Sequence, residues 1–228
     1  MSIAGDVFPV GDAAVLAVVG ESISAESSAK VWSLHAALRH TFGKAVLDVV
    51  PGYASVLVRF DPAVTRSAIV MATVRGAMER AEPSARAGER TVQVGVCFSP
   101  EHALDLDELV QRTGLSREEV VAEFCRPLYH VAFLGFTAGF PYMIGLSPKL
   151  DAPRLATPRV RVPAGSVGLA AGQCGIYPRV TPGGWRIVGK TSAPIFDPSR
   201  DAPALFRAGD AVRFHAVASL DQAQASVA

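Results

Sequence analysis

Residues that could recognise a small anion are concentrated in one segment, TPRVRVPAGSVGLAAGQCGIYPRVTPGGW at 157–185. Arginine binds carboxylates and phosphates through paired hydrogen bonds, and exposed backbone N–H groups of glycine loops form concave anion sites. We therefore predict a site for a carboxylate-bearing substrate here. The alternative is that the arginines only decorate exposed strand faces. The polar residues concerned are Arg159, Arg161, Ser166, Gln173, Tyr177 and Arg179.

A second segment, FLGFTAGFPYMIGL at 133–146, combines glycines with aromatic residues. This composition suits a tight backbone path beside a flat or apolar ligand. Phe133 and Phe136 are interpreted as core residues for which the glycines make room. Phe140 and Tyr142 are kept as candidate ligand contacts. The turn in TPGGWRIVGK at 181–190 is either a simple hairpin or the rim of a site.

No catalytic acid, base or nucleophile is assigned. The sequence has no P-loop, GxGxxG, HExxH or GxSxG signature. Asp151, Asp197 and Asp201 lie beside prolines or in turns, where capping a turn is the commoner role. The histidines do not cluster, so no metal site is predicted; they are His35, His40, His102, His130 and His215.

The three cysteines, Cys97, Cys125 and Cys174, lie far apart without CxxC spacing. An odd number in a reducing compartment predicts buried free thiols rather than disulfides or a zinc site. Cys174, in AAGQCGIYP, is an alternative nucleophile, although a packed thiol is favoured.

Composition limits the classes of function. The chain has 228 residues, half of them hydrophobic, which is enough for one large domain or two small ones. With 22 basic and 21 acidic residues its net charge is +1, which argues against a non-specific nucleic-acid binder. The N-terminus lacks a signal-peptide pattern, and no apolar run approaches the roughly 18 residues of a membrane span. We expect a cytoplasmic protein without a membrane segment.

The first part of the chain alternates between strand and helix patterns. A strand in DAAVLAVVG is followed by an amphipathic helix that Ser24 caps and Gly43 ends. Two strands then flank the Pro51-Gly52 bend, and a second helix and the strand TVQVGVCF follow. The order βαββαβ predicts a small ferredoxin-like unit. The polar segment 81–90 is the predicted linker, with domains at 1–85 and 90–228.

The second domain begins with two short helical patterns. LDLDELVQRTG ends at Gly114, and SREEVVAEFCR begins with a capping box of Ser116 and Glu119. From Tyr129 onward, glycine, proline and short β-branched runs alternate with turn signals. This spacing predicts an all-β sandwich or barrel, giving an α+β protein as a whole.

The three quoted segments FLGFTAGFPYMIGL, PRVRVPAGSVGLAAGQCGIYP and TPGGWRIVGKT, in this order, resemble one family. It contains the B component of the bacterial ATP-dependent 5-oxoprolinase, the KipI inhibitor of a sporulation histidine kinase, and proteins labelled allophanate hydrolase subunit 1. GDAAVLAVVG and VPGYASVLVRFDP are similar to the family's first domain, so the likeness spans nearly the whole chain.

The resemblance implies a cyclophilin-like β-barrel after the small α+β domain. It also implies two partners, a second cyclophilin-like subunit of the allophanate hydrolase subunit 2 type and a third oxoprolinase subunit. Together they couple ATP hydrolysis to the opening of 5-oxo-L-proline to glutamate, with ATP bound at the level of the complex. The alternatives are a KipI-like inhibitor of a sensor kinase, or a subunit of an allophanate or urea-carboxylase-type amide hydrolase. Prolyl isomerisation ranks last, because fold alone is weak evidence for function.

If the chain is a subunit of 5-oxoprolinase, we expect nine residues to line the substrate cleft: Phe140, Tyr142, Arg159, Ser166, Gln173, Tyr177, Gly183, Gly184 and Trp185.

The chain departs from the family pattern at several positions. Ala138 stands where members commonly have proline, and Ser99-Pro100 where they commonly have a glycine pair. Phe124 occupies the place of a frequent histidine. Lys190 replaces an arginine, which keeps the charge but loses the planar fork for paired hydrogen bonds.

Overall fold

The computed structural model describes residues 5–39, 41–80 and 90–227. They divide into an N-terminal and a C-terminal unit, which meet in sequence between 80 and 90. The predicted linker lies outside the described residues except for Arg90, as does His40, so the exact boundary stays a prediction. No helix in the described ranges has both the length and the apolar character that crossing a membrane requires.

The N-terminal unit is an antiparallel four-stranded sheet with two helices. Strand order in the sheet is β1-β2-β4-β3. Its core is a cluster of buried aliphatic side chains and Phe60, with α1 and α2 both contributing. The elements are β1 (Val7–Val10), β2 (Ala14–Val18), α1 (Ala25–Arg39), β3 (Val46–Pro51), β4 (Ser55–Phe60) and α2 (Ser67–Arg80).

The predicted βαββαβ order is wrong at both ends, and the observed order is ββαββα. The apolar run that begins at Val7 is two strands, because Gly11 reverses the chain at a positive φ of 58°. The strand predicted to close this unit belongs instead to the second sheet. The N-terminal unit is therefore α+β, and a ferredoxin-like arrangement is not confirmed.

Three of the four local signals for helix ends are confirmed. The exception is Gly43, because α1 extends to Arg39 and Gly43 begins a separate 3-10 turn, Gly43–Ala45. The Ser27 N–H donates to Ser24 Oγ at 3.0 Å, which caps α1. Ser116 and Glu119 form the predicted capping box. Gly114 ends its helix in the left-handed conformation with φ of 70°.

The C-terminal unit contains a closed barrel of seven strands in the order β5-β12-β9-β10-β7-β6-β13 and back to β5. β14 adds to β5 at the end away from β12, and β8 and β11 form a separate two-stranded ribbon. The elements are β5 (Thr91–Cys97), α3 (Leu106–Thr113), α4 (Arg117–Cys125), β6 (Tyr129–Leu134), β7 (Pro141–Ile144), β8 (Arg159–Val162), β9 (Ser166–Ala170), β10 (Gln173–Ile176), β11 (Thr181–Gly183), β12 (Arg186–Lys190), β13 (Ala211–Val217) and β14 (Ala225–Val227).

The barrel core explains why Phe124 is apolar. Its ring lies 5.8 Å from Phe98, 5.6 Å from Tyr129 and 5.1 Å from Phe214, measured between centroids. Phe124 itself is 1% exposed. The aromatic cluster joins α4 to strands β6 and β13, so this position serves packing in the present chain.

Candidate functional site

A cleft of about 250 Å³ lies in the C-terminal unit, which we call the barrel unit. It borders a small hydrophobic cluster that is distinct from the main core of the barrel. Five aromatic side chains form its walls: Phe136, Phe140, Tyr142, Tyr177 and Trp185. The remaining lining consists of Arg154, Pro158, Pro182, Gly183 and Gly184.

Phe140 is the centre of the aromatic wall. Its ring meets Tyr142, Tyr177 and Trp185 edge to face, with centroids 4.9, 5.2 and 5.5 Å apart. Phe136 contacts it in the same way at 5.6 Å. Edge-to-face contacts of this kind fix ring orientations, so the cleft presents shaped aromatic surfaces to a ligand.

Glycines make room for these rings. A Cβ at Gly175 would lie 2.6 Å from the Phe140 ring, and one at Gly183 would lie 2.3 Å from the Tyr177 hydroxyl. Both distances are too short for any real side chain. The turn before Trp185 is therefore part of the rim of the cleft, and Gly183 is required by the close approach of Tyr177.

Phe136 is held in a strained backbone conformation. It has φ of 63°, and the Thr137 N–H donates to the Gly135 carbonyl at 2.6 Å, which makes Phe136 the centre of a γ-turn. The Gly135 N–H closes the loop by donating to the Phe140 carbonyl at 3.1 Å. The Phe136 ring is 61% exposed, so its interpretation as a core residue was wrong. Residues held in such conformations cluster at active sites and ligand clamps, which makes Phe136 a candidate for contact with a ligand.

Phe133 differs from Phe136. It is half-buried and stacks on Tyr142, with centroids 4.7 Å apart and planes 25° apart. Its interpretation as a packing residue is consistent with this position behind the cleft wall.

The two phenols of the cleft are protonated at neutral pH. Burial raises the pKa of both Tyr142 and Tyr177. A hydrogen bond with the Trp185 backbone partly opposes this effect at Tyr177, and the positive charge of Arg154 opposes it at both. Each hydroxyl is therefore a hydrogen-bond donor as well as an acceptor.

Three arginines lie in or beside the cleft, and two of them are neutralised. Arg159 Nη2 is 2.6 Å from Asp105 Oδ1. Arg186 donates to Glu108 Oε1 from Nε at 3.1 Å and from Nη2 at 2.7 Å. Within the part of the chain that the structure describes, Arg154 makes no ion pair or hydrogen bond through its guanidinium group. The cleft thus keeps one uncompensated positive charge.

Six of the nine predicted site residues line the cleft: Phe140, Tyr142, Tyr177, Gly183, Gly184 and Trp185. Their contact with a ligand stays a prediction. The other three do not line it. Arg159 pairs with Asp105, Ser166 is buried in β9 with its carbonyl accepting from the Tyr177 N–H, and Gln173 is buried at the start of β10.

Sequence reasoning missed Phe136, Arg154, Pro158 and Pro182. Arg154 and Pro158 lie in the irregular segment between β7 and β8. Its prolines signal a loop, but nothing local to it indicates that the loop returns to the cleft. Arg161 and Arg179, which were considered for anion binding, are exposed and do not line the cleft.

The cysteines are free thiols, as predicted. Cys174 is completely buried, and burial raises the pKa of its thiol, so the alternative of a nucleophilic Cys174 is wrong. Burial also raises the pKa of Cys125 to about 11. No group of three or more potential metal ligands occurs among residues 5–39, 41–80 and 90–227.

A model of the family described as carboxyltransferase domain, subdomain C and D, matches residues 6–206. The 5-oxoprolinase B component of Bacillus subtilis (strain 168) is 32% identical over 231 residues, covering 97% of this chain and 96% of that protein. The protein of the same name from Escherichia coli O157:H7 is 35% identical over 205 residues, covering 90% and 93%.

Among solved structures, the crystal structure of TTHA0988 is similar with a TM-score of 0.80 and 35% identity. The match covers 90% of this chain but 40% of the TTHA0988 chain. In TTHA0988 the matched region is thus less than half of a longer polypeptide.

Proposed function

The chain belongs to the carboxyltransferase domain, subdomain C and D, family, and from that membership we propose that it is the B component of a 5-oxoprolinase complex. The complex would hydrolyse 5-oxo-L-proline to L-glutamate with ATP. Support comes from relatives that are named as this component of 5-oxoprolinase and that match over almost their whole length. We also propose that the protein is cytoplasmic and that its barrel is cyclophilin-like.

The observation that carries the proposal is the aromatic cleft. Its volume of about 250 Å³ lies below the range of about 300–1,000 Å³ that is typical of sites for drug-sized ligands. A five-membered lactam has an apolar ring and a polar amide, which suits ring faces bordered by two phenol hydroxyls. A site of this size favours the lactam over a nucleotide, so we assign the cleft to the substrate and ATP to the complex as a whole.

The chemistry that the complex must perform is activation of an unreactive amide. Transfer of the γ-phosphoryl group of ATP to the lactam oxygen releases ADP and makes the carbon more electrophilic. Water adds to that carbon, and the C–N bond breaks with the nitrogen leaving as the amine. A second water then releases phosphate from the acyl phosphate. Donors placed at the oxygen stabilise the developing negative charge.

We propose that two partners complete the enzyme, a second cyclophilin-like subunit and a third oxoprolinase subunit. The relatives are named as subunits, and TTHA0988 carries the corresponding region within a longer chain. Both facts support a site that works together with further protein.

The role of the cleft is tested by removing the exposed ring of Phe136. Phe136→Ala should lower kcat/KM for 5-oxo-L-proline in the assembled complex by about three- to ten-fold, the worth of one aromatic contact. Phe136 is largely exposed, so the fold should tolerate the change. Phe8→Ala, which removes a partly exposed phenyl ring from the N-terminal unit, is the matched control. Equal kinetics for both variants and the wild type would remove the cleft from the proposal.

A further inference from the structure

Arg154 is placed at the cleft by backbone hydrogen bonds on both sides of it. The Ala171 N–H donates to the Ala152 carbonyl at 2.7 Å, and the Leu155 N–H donates to the Gly184 carbonyl at 2.8 Å. The Gly172 N–H donates to Asp151 Oδ1 at 2.7 Å. The segment that carries Arg154 is therefore tied to the rim of the cleft, although the side chain itself is exposed.

Arg154 differs from Arg159 and Arg186 because it has no carboxylate partner among the described residues. The positive charges of Arg159 and Arg186 are paired with Asp105 and Glu108, although Nη1 of each guanidinium group is buried without a hydrogen-bond partner among the described residues. These two ion pairs link α3 to the barrel. Arg154 lines the same cleft as the two phenols, Tyr142 and Tyr177. A planar guanidinium with free donors beside an apolar wall suits a ligand that has a carboxylate at one end and an apolar ring at the other.

We infer that Arg154 holds the carboxylate of the lactam, and that the cleft therefore selects lactams that carry a carboxylate group next to the ring. This inference rests on the proposed function, since it names the group of the substrate that the cleft recognises. One guanidinium matches the single charge of a carboxylate, and the aromatic wall takes the ring.

The test compares two ligands that differ only in the carboxylate, 5-oxo-L-proline and 2-pyrrolidinone. Equilibrium binding of each is measured by calorimetry to the full chain, alone and assembled with its partner subunits. Arg154→Met should weaken binding of 5-oxo-L-proline at least about ten-fold, the scale of a charged hydrogen bond, and leave 2-pyrrolidinone binding unchanged. Arg154→Lys should recover part of the loss, since it keeps the charge without the fork.

Arg161→Met is the matched control, because Arg161 is also exposed on this part of the chain but does not line the cleft. It should bind both ligands as the wild type does. The inference is overturned if the wild type shows no preference for the carboxylated ligand in either preparation, or if Arg154→Met and Arg161→Met bind alike.

Failure of the proposed function would look different. If Arg154→Met removes the preference for the carboxylate while the assembled wild-type complex turns over no 5-oxo-L-proline, the carboxylate site stands and the reaction is another one. If the complex turns over 5-oxo-L-proline but Arg154→Met keeps the preference, the reaction stands and this role of Arg154 is wrong.

Discussion

The cleft depends on residues without side chains as much as on its aromatic rings. Phe140 and Tyr177 come close enough to the backbone at Gly175 and Gly183 to exclude even a methyl group. The rings can therefore pack edge to face around a space that stays open. Interiors are close-packed, so one added methyl group is enough to displace such a ring.

Gly183→Ala should destabilise the barrel unit by about 1–3 kcal/mol, the usual cost of overpacking. The new Cβ would lie 2.3 Å from the Tyr177 hydroxyl, and the buried phenol has to move. Gly184→Ala provides the control, because its Cβ finds no atom closer than 3.6 Å. Urea unfolding of the two variants measures the difference, and equal midpoints would show that Tyr177 is not constrained as described.

Which arginine would stay free was beyond sequence reasoning. Arg159 was predicted to bind the substrate, yet its partner Asp105 lies 54 positions away along the chain. The partner of Arg186 lies 78 positions away. Arginine can meet either a ligand or a carboxylate of its own chain, and only the tertiary structure decides between them.

At the scale of elements, most helix ends were predictable, with the end of α1 as the exception, and strand pairing was not. Ser24, Ser116 and Gly114 act through hydrogen bonds or backbone conformations within a few residues, so their patterns are local. The strand β5 pairs in parallel with β13 from the far end of the chain. Its alternation predicted a strand correctly but carried no information about the sheet to which that strand belongs.

The contact between α3 and β12 should make the stability of the barrel unit depend on pH. The hydrogen bonds from Arg186 hold the pKa of Glu108 below its usual value. An acid whose pKa is lower in the folded state contributes stability above its unfolded pKa and loses it as pH falls through the folded pKa. Stability in urea should therefore fall from about pH 6 to about pH 3, and less steeply in Glu108→Gln.

Glu118→Gln removes an exposed carboxylate of α4 and serves as the control for this pH series. Its stability in urea should depend on pH as that of the wild type does. An unchanged acid slope in Glu108→Gln would mean that its pairing with Arg186 contributes nothing to the stability of the unit.

At the scale of the whole molecule, the α+β class and the glycine-rich barrel unit were predictable from the helix and strand patterns and the spacing of turn residues. The family was predictable from three motifs in order. The motifs also predicted most of the cleft, because Phe140, Tyr142, Tyr177 and the Gly183-Gly184-Trp185 turn lie within them. Arg154 lies between two motifs, in a loop whose path back to the rim depends on backbone hydrogen bonds to Gly184 and Ala171. Such bonds leave no sequence signal.

We propose 5-oxoprolinase activity for the assembled complex, so that complex is the preparation to assay. ADP and glutamate release from ATP and 5-oxo-L-proline is measured with this chain alone, with its partner subunits alone, and with the full mixture. We expect both products to appear together only in the full mixture. Absence of glutamate from a demonstrably assembled complex, or full activity of the partners without this chain, would contradict it.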